Sequence, residues 1–299
     1  MHSVQLRPFQ PDDLTPLVAL WNRCLTKDPI REERFWQLFL LDPNFDPRGA
    51  LIAEQDGNLV GFLQVVSAGH LTVFFVAPEC RRQGIGSQLL EAGLDFLQKL
   101  GKTRIACNGY APYYIFPGVD VDYVAAGAFL AHHGFTVTSE PVAMGMALEG
   151  VRMPEAVRAQ REALQAEGYD VRLFELRDTL PLLAFAHEHF PHWHTSVLDG
   201  LQRGNRELML AVHQGGNVVG FTQWQNPHND PPTGAAGRFG PFGVHPELRG
   251  KGIGAVVFYA LVEHATASGG RYLWFGWAGG RNLSFYERVG CRVTRQFQL

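Results

Sequence analysis

Two glycine-rich stretches of this sequence share one pattern. Residues 81–86 read Arg-Arg-Gln-Gly-Ile-Gly, and residues 249–254 read Arg-Gly-Lys-Gly-Ile-Gly. Each stretch follows an apolar run that ends in Val-x-Pro, and each opens a long segment with helical apolar periodicity. The pattern therefore predicts a strand, a tight turn and a helix in both places.

The chemistry of such a turn suits an anion. Glycine allows the main chain to approach a bulky group closely, and the first amides of a helix have no partner within the helix. Those amides and the helix dipole favour a phosphate or pyrophosphate, to which Arg81 and Arg249 can add a charged hydrogen bond. A turn in which glycine serves only steric needs is the plainer alternative, and finding the pattern twice counts against it.

Two other phosphate-binding motifs do not fit. Neither stretch has the Gly-Lys-Ser/Thr ending of a P-loop, which argues against a nucleotide hydrolase. Neither has Gly-x-Gly-x-x-Gly followed by an acid about twenty residues on, which argues against a dinucleotide-binding domain.

The repeat extends beyond the glycine turns. Residues 57–65 return as residues 216–224, and residues 76–81 return as residues 244–249. The second copy has extra residues between these segments, and they fall in the turn-rich stretch 227–234, which we expect to be a surface excursion. The repeat predicts two domains, residues 1–150 and residues 151–299.

The order of elements within each copy predicts the fold class. A short strand precedes helices, a β-hairpin, a third strand, the glycine turn, a long helix, a further strand (103–107 or 271–277), a short helix and a last strand. A strand–helix–strand unit implies a parallel pair with a right-handed crossover, here beside antiparallel hairpins. The predicted class is α/β, with a mixed (α+β) sheet in each domain, and residues 154–168 are expected to form a connecting helix.

These motifs resemble a known family. Both glycine turns resemble the acetyl-CoA-binding motif of the GCN5-related N-acetyltransferases (GNAT), and the predicted strand order is similar to that family's fold. The resemblance covers nearly the whole chain as a tandem pair, a layout similar to that of mycothiol synthase and its relatives. It implies two tandem GNAT domains, each with a mixed, mostly antiparallel sheet whose parallel strand pair is splayed around the cofactor.

The resemblance also implies which residues bind acetyl-CoA as a cosubstrate, without a metal. Main-chain amides of the turns would hold the CoA pyrophosphate, and main-chain groups of the preceding strands would line the pantetheine arm. The expected cofactor-binding residues are Val76, Arg81, Arg82, Gln83, Gly84, Ile85, Gly86 and Ser87 in the first copy, and Val244, Arg249, Gly250, Lys251, Gly252, Ile253, Gly254, Ala255, Asn282 and Ser284 in the second.

The strand before the second turn contains Pro241 between Gly240 and Phe242. Proline cannot donate to a sheet and glycine weakens one, so we expect a bulge or local splay here. Such an opening would admit the pantetheine arm. The alternative is that Pro241 only blunts an edge strand.

The end of the second copy, residues 285–290, reads Phe-Tyr-Glu-Arg-Val-Gly and resembles the family's closing helix. By this resemblance Tyr286 is the residue expected to donate a proton to the departing thiolate, a step that a phenol can perform. The alternative is that Tyr286 only packs. The family's asparagine usually lies farther upstream than Asn282 does, and an N-cap is the alternative role for Asn282.

The first copy differs at this point. Aligning Gly134 with Gly290 places Leu130 opposite Tyr286, and leucine has no proton to donate. The first copy also has an aromatic insertion at residues 110–120. We therefore expect the first domain to bind acyl-CoA but to be catalytically weak or silent, and equal activity of the isolated halves would contradict this.

The general base is not evident from the sequence. The strand before the second turn has no carboxylate; it has Arg238, where the first copy has His70. Remote candidates are Glu188, His192, His194 and Asp199. The histidine-rich stretch 187–194 invites a metal interpretation, but its proline and aromatics break the spacing of helical ligands.

The composition bounds the function. Of the 299 residues, 46% are hydrophobic and 18% charged, and the net charge of −3 gives no general attraction to nucleic acid. No stretch is long and apolar enough for a membrane span, and the unpaired cysteines at 24, 80, 107 and 291 suit a reduced, cytoplasmic protein. We expect a monomer or homodimer that moves an acetyl group from acetyl-CoA to a primary amine of a small molecule in the second domain. A longer acyl group and a non-catalytic acyl-CoA sensor or scaffold are the alternatives.

Overall fold

The computed structural model of the chain describes residues 4–110, 113, 115–225, 236–280 and 282–299. Two compact units make up the chain, Met1–Pro141 with Gln296–Leu299, and Val142–Arg295. The first unit thus ends before residue 150, the boundary expected from the sequence. The expected excursion at 227–234 lies outside the described residues, as do parts of the aromatic insertion.

The first unit is built on one mixed sheet. Its strands lie in the order β1-β2-β3-β4-β5, and only β4 and β5 are parallel, where His70 pairs with Ala106 and Leu71 with Cys107. Its elements are β1 (Val4–Pro8), α1 (Leu14–Cys24), α2 (Glu32–Phe35) with a π-helical turn at Trp36–Leu40, β2 (Ala50–Gln55), β3 (Asn58–Val66), β4 (His70–Val76), α3 (Ile85–Lys99), β5 (Ala106–Cys107), β6 (Val119–Asp120) and α4 (Val124–His132).

The second unit repeats this plan and begins with a strand of the first sequence copy. Its elements are β7 (Val142–Ala147), α5 (Glu155–Ala166), β8 (Tyr169–Leu173), α6 (Thr179–His189), α7 (Pro191–Gln202), β9 (Leu208–His213), β10 (Asn217–Gln225), β11 (Ala236–Val244), α8 (Ile253–Ala267), β12 (Tyr272–Ala278), α9 (Asn282–Arg288) and β13 (Arg292–Gln298). The sheet runs β8-β9-β10-β11-β12-β7, and its β11 and β12 are parallel. The end of β13 belongs to the first unit, where Phe297 pairs with Asp120.

Apolar side chains cover both faces of the second sheet. On one face, α8 packs its buried residues against Trp224, Phe239 and Leu273. On the other face, α6 and α7 pack against Phe221. The mixed fold with hairpins and a parallel pair is therefore the predicted one. The helix predicted at residues 154–168 is α5, but it lies within the second unit and does not connect the two units.

The strand before each glycine turn is bulged at the same place of the repeat. In the first unit the register shifts between Gln64 and Val65, opposite Thr72 of β4. In the second it shifts around Gln223, opposite Gly240 and Pro241 of β11. The predicted bulge is confirmed. β11 as a whole lies between β10 and β12, but Pro241 falls where β11 is paired with β10 alone, because the pairing with β12 covers only residues 236–238.

The bulge leads into a splay between two parallel strands. The pairing of β11 with β12 ends at Arg238 and Trp274, although β11 continues to Val244. Beyond this point β11 keeps its pairing with β10 alone. The sheet is therefore open between β11 and β12 on the side that leads to the second glycine turn.

An arginine–aspartate clamp, not foreseen from the sequence, is duplicated with the fold. Arg7 donates two hydrogen bonds of 2.7 Å to Asp13, and Arg172 donates two, of 2.7 and 2.8 Å, to Asp178. Each carboxylate also accepts from a main-chain amide three residues earlier. The arginine holds the pKa of each carboxyl below its usual range. The clamp fixes the turn that joins the first strand of each unit to its first helix.

We expect Asp178→Asn to lower the free energy of unfolding of the second unit by about 2 kcal/mol at pH 7, because it removes charge-assisted hydrogen bonds at a buried site. The folded-state pKa of Asp178 is depressed, so this stabilisation is complete above the ordinary aspartate pKa of about 3.9 and is lost as pH falls through the folded value. Urea titrations between pH 3 and pH 7 measure both effects.

Asp170→Asn is the matched control, because Asp170 is exposed and lies 3.5 Å from the same arginine. It should change stability by less than about 0.5 kcal/mol. An equal loss from both variants, or an unchanged acid profile in Asp178→Asn, would show that the clamp contributes nothing specific.

Candidate active site

Both glycine turns lead directly into a helix, as predicted. Helix α3 begins at Ile85 after Gly84 with φ 83°, and α8 begins at Ile253 after Gly252 with φ 82°. A second left-handed residue precedes each of these glycines: Arg82 with φ 63° in the first turn and Gly250 with φ 86° in the second. The two turns thus share one backbone path, and that path strongly favours glycine before each helix.

The amides of the turns are available to a ligand. Within the described chain, no acceptor takes the amide protons of residues 82–87, or those of residue 250 and residues 252–255. The amide of Lys251 has only a long contact of 3.4 Å to the carbonyl of Leu248. Both turns therefore present a row of donors, which fits the phosphate oxygens of CoA.

The second turn is held in place by α5 and the segment that follows it. The side-chain amide of Gln160 donates to the carbonyl of Lys251 at 2.9 Å, and Lys251 Nζ lies 3.6 Å from Glu167. A Cβ atom on Gly252 would lie only 2.6 Å from the Gln160 side chain. Glycine is thus required at 252 both by φ and by contact. The side chain of Arg249 is exposed, and its main-chain amide contacts the carbonyl of Pro246 at 3.4 Å.

The first turn is held by its own side chains. Arg81 Nε donates to the carbonyl of Val76 at 3.0 Å, so these two predicted cofactor-binding residues contact one another. Gln83 donates to the carbonyl of Glu79 at 3.3 Å, and the Ser87 hydroxyl lies 3.2 Å from His133 Nε2. In this structure the Arg81 side chain is therefore turned onto its own strand.

An aromatic pair covers the last glycine of each turn. Phe74 and Phe129 stack with ring centroids 5.2 Å apart, and a Cβ on Gly86 would lie 3.2 Å from Phe74. In the second unit Phe242 and Phe285 are 5.6 Å apart, and a Cβ on Gly254 would lie 3.4 Å from Phe242. In each pair, the phenylalanine on the strand lies two residues before the valine of Val-x-Pro. This shared position is visible in the sequence, but the sequence analysis did not predict its role.

Tyr286 is buried among aromatic rings close to this pair. It is 8% exposed, and its ring centroid lies 4.5 Å from Phe275 and 6.0 Å from Phe239. Burial raises the pKa of Tyr286 above its usual range. The phenol therefore keeps its proton at neutral pH, the form that a proton donor needs.

The other predicted residues of the second copy lie around this centre. Asn282 is the first residue of α9 rather than a cap before it, and both Asn282 and Ser284 are exposed. Val244 is half-buried and packs with the α8 core.

The family comparison agrees with this geometry. The sequence model of the Acetyltransferase (GNAT) family matches residues 14–135 and again residues 171–291. The chain belongs to this family. It consists of two GNAT domains in tandem.

Named relatives share parts of the chain. The mycothiol acetyltransferase of Acidimicrobium ferrooxidans is 46% identical over an alignment of 105 residues, and the match covers 30% of this chain and 33% of that protein. The match thus spans only about a third of that relative's length.

Solved structures share the fold over the whole chain. A GCN5-related glucosamine N-acetyltransferase region of a fungal multi-domain GH3 β-N-acetylglucosaminidase has a TM-score of 0.86 at 22% identity, covering 100% of this chain and 38% of that one. A tandem GNAT protein from the clavulanic acid biosynthesis pathway has a TM-score of 0.69 at 16% identity, covering 99% and 97%. At these identities the likeness concerns the fold.

The first GNAT domain has no hydroxyl at the position of Tyr286. Leu130 takes that position in the aligned sequence and is buried in the first core beside Phe129. The turn amides of the first domain remain available, so the two domains match in the turn and differ in the closing helix.

The four residues that the sequence offered as candidates for a general base contact groups other than Tyr286. Asp199 accepts from Arg203 at 2.9 Å, and Glu188 lies 3.8 Å from His189. Burial lowers the pKa of His192, and His194 packs against His187 with ring centroids 5.4 Å apart. The described hydrogen bonds, ion pairs and ring contacts connect none of the four with Tyr286, so no base is assigned.

Two further findings concern the side chains and the helices of the described residues. Among the described residues, no group of three or more histidine, cysteine, aspartate or glutamate side chains is arranged to hold a metal ion. In the same part of the chain, no helix has the length and apolar character that crossing a bilayer requires.

Proposed function

We propose that the second GNAT domain transfers an acetyl group from acetyl-CoA to a primary amine of a small molecule by direct attack. The first domain binds acetyl-CoA with little or no transfer. The observation that carries this proposal is the asymmetry of the closing helices: Tyr286 follows the second set of free turn amides, whereas Leu130 follows the first.

The second turn supplies the cofactor contacts. The free amides of residue 250 and residues 252–255 would donate to pyrophosphate oxygens, and the dipole of α8 would favour their negative charge. Arg249 and Lys251 are exposed beside them and add positive charge. Because Gln160 fixes the carbonyl of Lys251, the turn is organised before the ligand arrives.

The opening between β11 and β12 supports this part of the sheet as the place of the transfer. Tyr286 lies beside Phe239 and Phe275, which belong to the two strands that separate there. The amine nitrogen would attack the thioester carbonyl carbon, forming a C–N bond as the C–S bond breaks. Tyr286 would give its proton to the departing thiolate, and the amine would lose a proton to solvent or to a base.

The acceptor is proposed to be a small molecule. The net charge of −3 gives the chain no general attraction to a polyanion. Two similar proteins, a mycothiol acetyltransferase and a glucosamine N-acetyltransferase region, also favour a small amine.

Release of CoA thiol from acetyl-CoA across a panel of primary amines tests the proposal. The panel includes glucosamine, cyclohexylamine, lysine, spermidine and an N-terminal peptide, and octanoyl-CoA is run in parallel. We expect turnover with a small amine and with acetyl-CoA as the better donor. Tight CoA binding without turnover of any amine would contradict transfer and favour a sensor.

A further inference from the structure

Several polar side-chain atoms of the second domain are buried without a partner in the described chain. Two of them are donors on the face of the sheet away from α8, the side-chain amide nitrogen of Gln223 and the indole nitrogen of Trp274. Gln223 is 1% exposed. Buried donors are nearly always satisfied, so each of these two points to a group that binds there.

Gln223 faces α6 and α7. Its neighbour two residues back, Phe221, packs against Phe185 and Phe190 on that face. A Cβ on Gly200 of α7 would lie only 2.5 Å from Gln223 Nε2, so the helix approaches this amide as closely as glycine permits. Gln223 also lies directly opposite the bulge at Gly240 and Pro241. The donor is thus placed beside the opening of the sheet.

Trp274 lies on the same face, across the opening. Its chain neighbours Leu273 and Phe275 pack on the α8 side, so strand alternation places Trp274 on the other side. In the parallel register Trp274 pairs with Arg238, the last pair before β11 and β12 separate. Since Gln223 is on β10 and Trp274 is two strands away on β12, their main chains are about 10 Å apart across the sheet.

This face lies opposite the proton donor. Tyr286 contacts Phe239 and Phe275, which pack on the α8 side of the sheet. An amine must approach the thioester carbonyl from a side other than that of the leaving sulfur. The face that carries Gln223 and Trp274 is therefore the face from which the acceptor approaches.

The two hydrogen-bond donors restrict the kind of amine that can bind on this face. An indole N–H can only donate, and the unpartnered atom of Gln223 is also a donor. A ligand that satisfies both must present acceptor oxygens at opposite ends of a molecule of about sugar-ring size. A plain hydrocarbon amine would leave both donors unsatisfied.

We propose that Gln223 and Trp274 select an acceptor amine whose carbon skeleton carries hydroxyl, ether or carbonyl oxygens. The two side chains donate to those oxygens and set the orientation of the amine at the opening. This inference rests on the proposed function of the second domain and names the substrate class of that site.

The first domain supplies an internal comparison. Gln64 occupies the position of Gln223 in the repeat, is equally buried, and has an unpartnered amide. By the same register, Ala106 stands in the first sheet where Trp274 stands in the second. The first domain thus has one of the two donors, and Gln64 is the matched control for Gln223.

The test compares glucosamine with cyclohexylamine, two ring amines of similar size with and without oxygens. Gln223→Met and Trp274→Phe should each raise the KM for glucosamine about tenfold, the effect of one lost hydrogen bond to a substrate that still needs it. The KM for acetyl-CoA and the kcat/KM for cyclohexylamine should stay unchanged. Gln64→Met should leave all of these values unchanged.

Equal losses for both amines, or the same loss from Gln64→Met, would overturn the inference, because they would make the glutamine a packing residue. Calorimetric titration of glucosamine and cyclohexylamine into the CoA-loaded protein provides a second readout that does not need turnover. Preferred glucosamine binding that Gln223→Met abolishes supports the inference even if no amine is acetylated, an outcome that would reject only the proposed function. Wild-type protein that binds glucosamine no better than cyclohexylamine would overturn the inference whether or not acetylation occurs.

Discussion

Tyr286→Phe is expected to lower kcat by about 10²- to 10⁴-fold with the best amine of the panel, the range typical of a lost general acid. The substitution keeps the ring that packs against Phe239 and Phe275 and removes only the hydroxyl. Binding of acetyl-CoA, measured by calorimetry, should therefore stay within about twofold of wild type. Since burial raises the pKa of this phenol, wild-type activity should also show no loss from its ionisation below about pH 10.

Tyr259→Phe is the matched control for this substitution. Tyr259 lies on α8 in the same core, is buried to the same 8% exposure, and also has a pKa raised by burial. Its kcat should be close to that of wild type. If both tyrosine variants retain full turnover, Tyr286 is a packing residue; if both lose it equally, the loss reflects the core rather than a proton donor.

Gly252→Ala is expected to raise the KM for acetyl-CoA about tenfold or more, with a smaller effect on kcat. A left-handed φ of 82° strains any L side chain by about 1–2 kcal/mol. The added methyl also meets Gln160 at 2.6 Å and would disturb the carbonyl of Lys251 that Gln160 holds. The free amides would therefore lose their common direction, and a shift of 1.4 kcal/mol is a factor of ten in affinity.

Gly269→Ala separates this effect from simple strain. Gly269 has φ 87° at the other end of α8, with no atom within 4 Å of an added Cβ. It should cost similar stability in thermal denaturation and leave the KM for acetyl-CoA unchanged. Equal KM values in the two variants would show that the second turn does not bind the cofactor.

Local patterns carried most of the fold prediction. The spacing of glycines around Gly84 and Gly252 specified two turns that open helices, and proline with glycine at 240–241 specified the bulge. These features depend on backbone conformations that few residue types adopt, so the sequence alone reveals them. The repeat supported the prediction of the turns, because the glycine pattern occurs in both copies.

The pairing of strands that are distant in the sequence was harder to predict. The strand Val142–Ala147 follows the first closing helix in sequence but pairs with Tyr272 and its neighbours on β12. A short apolar strand carries no information about its partner, so the boundary was expected at residue 150. The strand expected at 103–107 is reduced to Ala106–Cys107, because β4 and β5 pair over two residues only.

The sequence predicted the turn amides that would bind the cofactor. It did not predict the side chains that would contact the amine substrate. The turn amides are main-chain groups, and the spacing of the glycines predicts their position. Gln223 gave no such signal, because a polar residue in an alternating strand is ordinarily expected at the surface. Its burial follows from the close approach of Gly200 on α7, a contact between segments that no local pattern connects.

The central claim is that transfer takes place in the second domain while the first only binds. Amine-dependent release of CoA thiol by Gly84→Ala tests it most directly, because Gly84 has the same left-handed φ in the first turn as Gly252 has in the second. We predict that kcat and the KM for acetyl-CoA of this variant match wild type, although calorimetry shows one CoA-binding site fewer. A fall in turnover by half or more, in protein that unfolds at the wild-type temperature, would contradict the account.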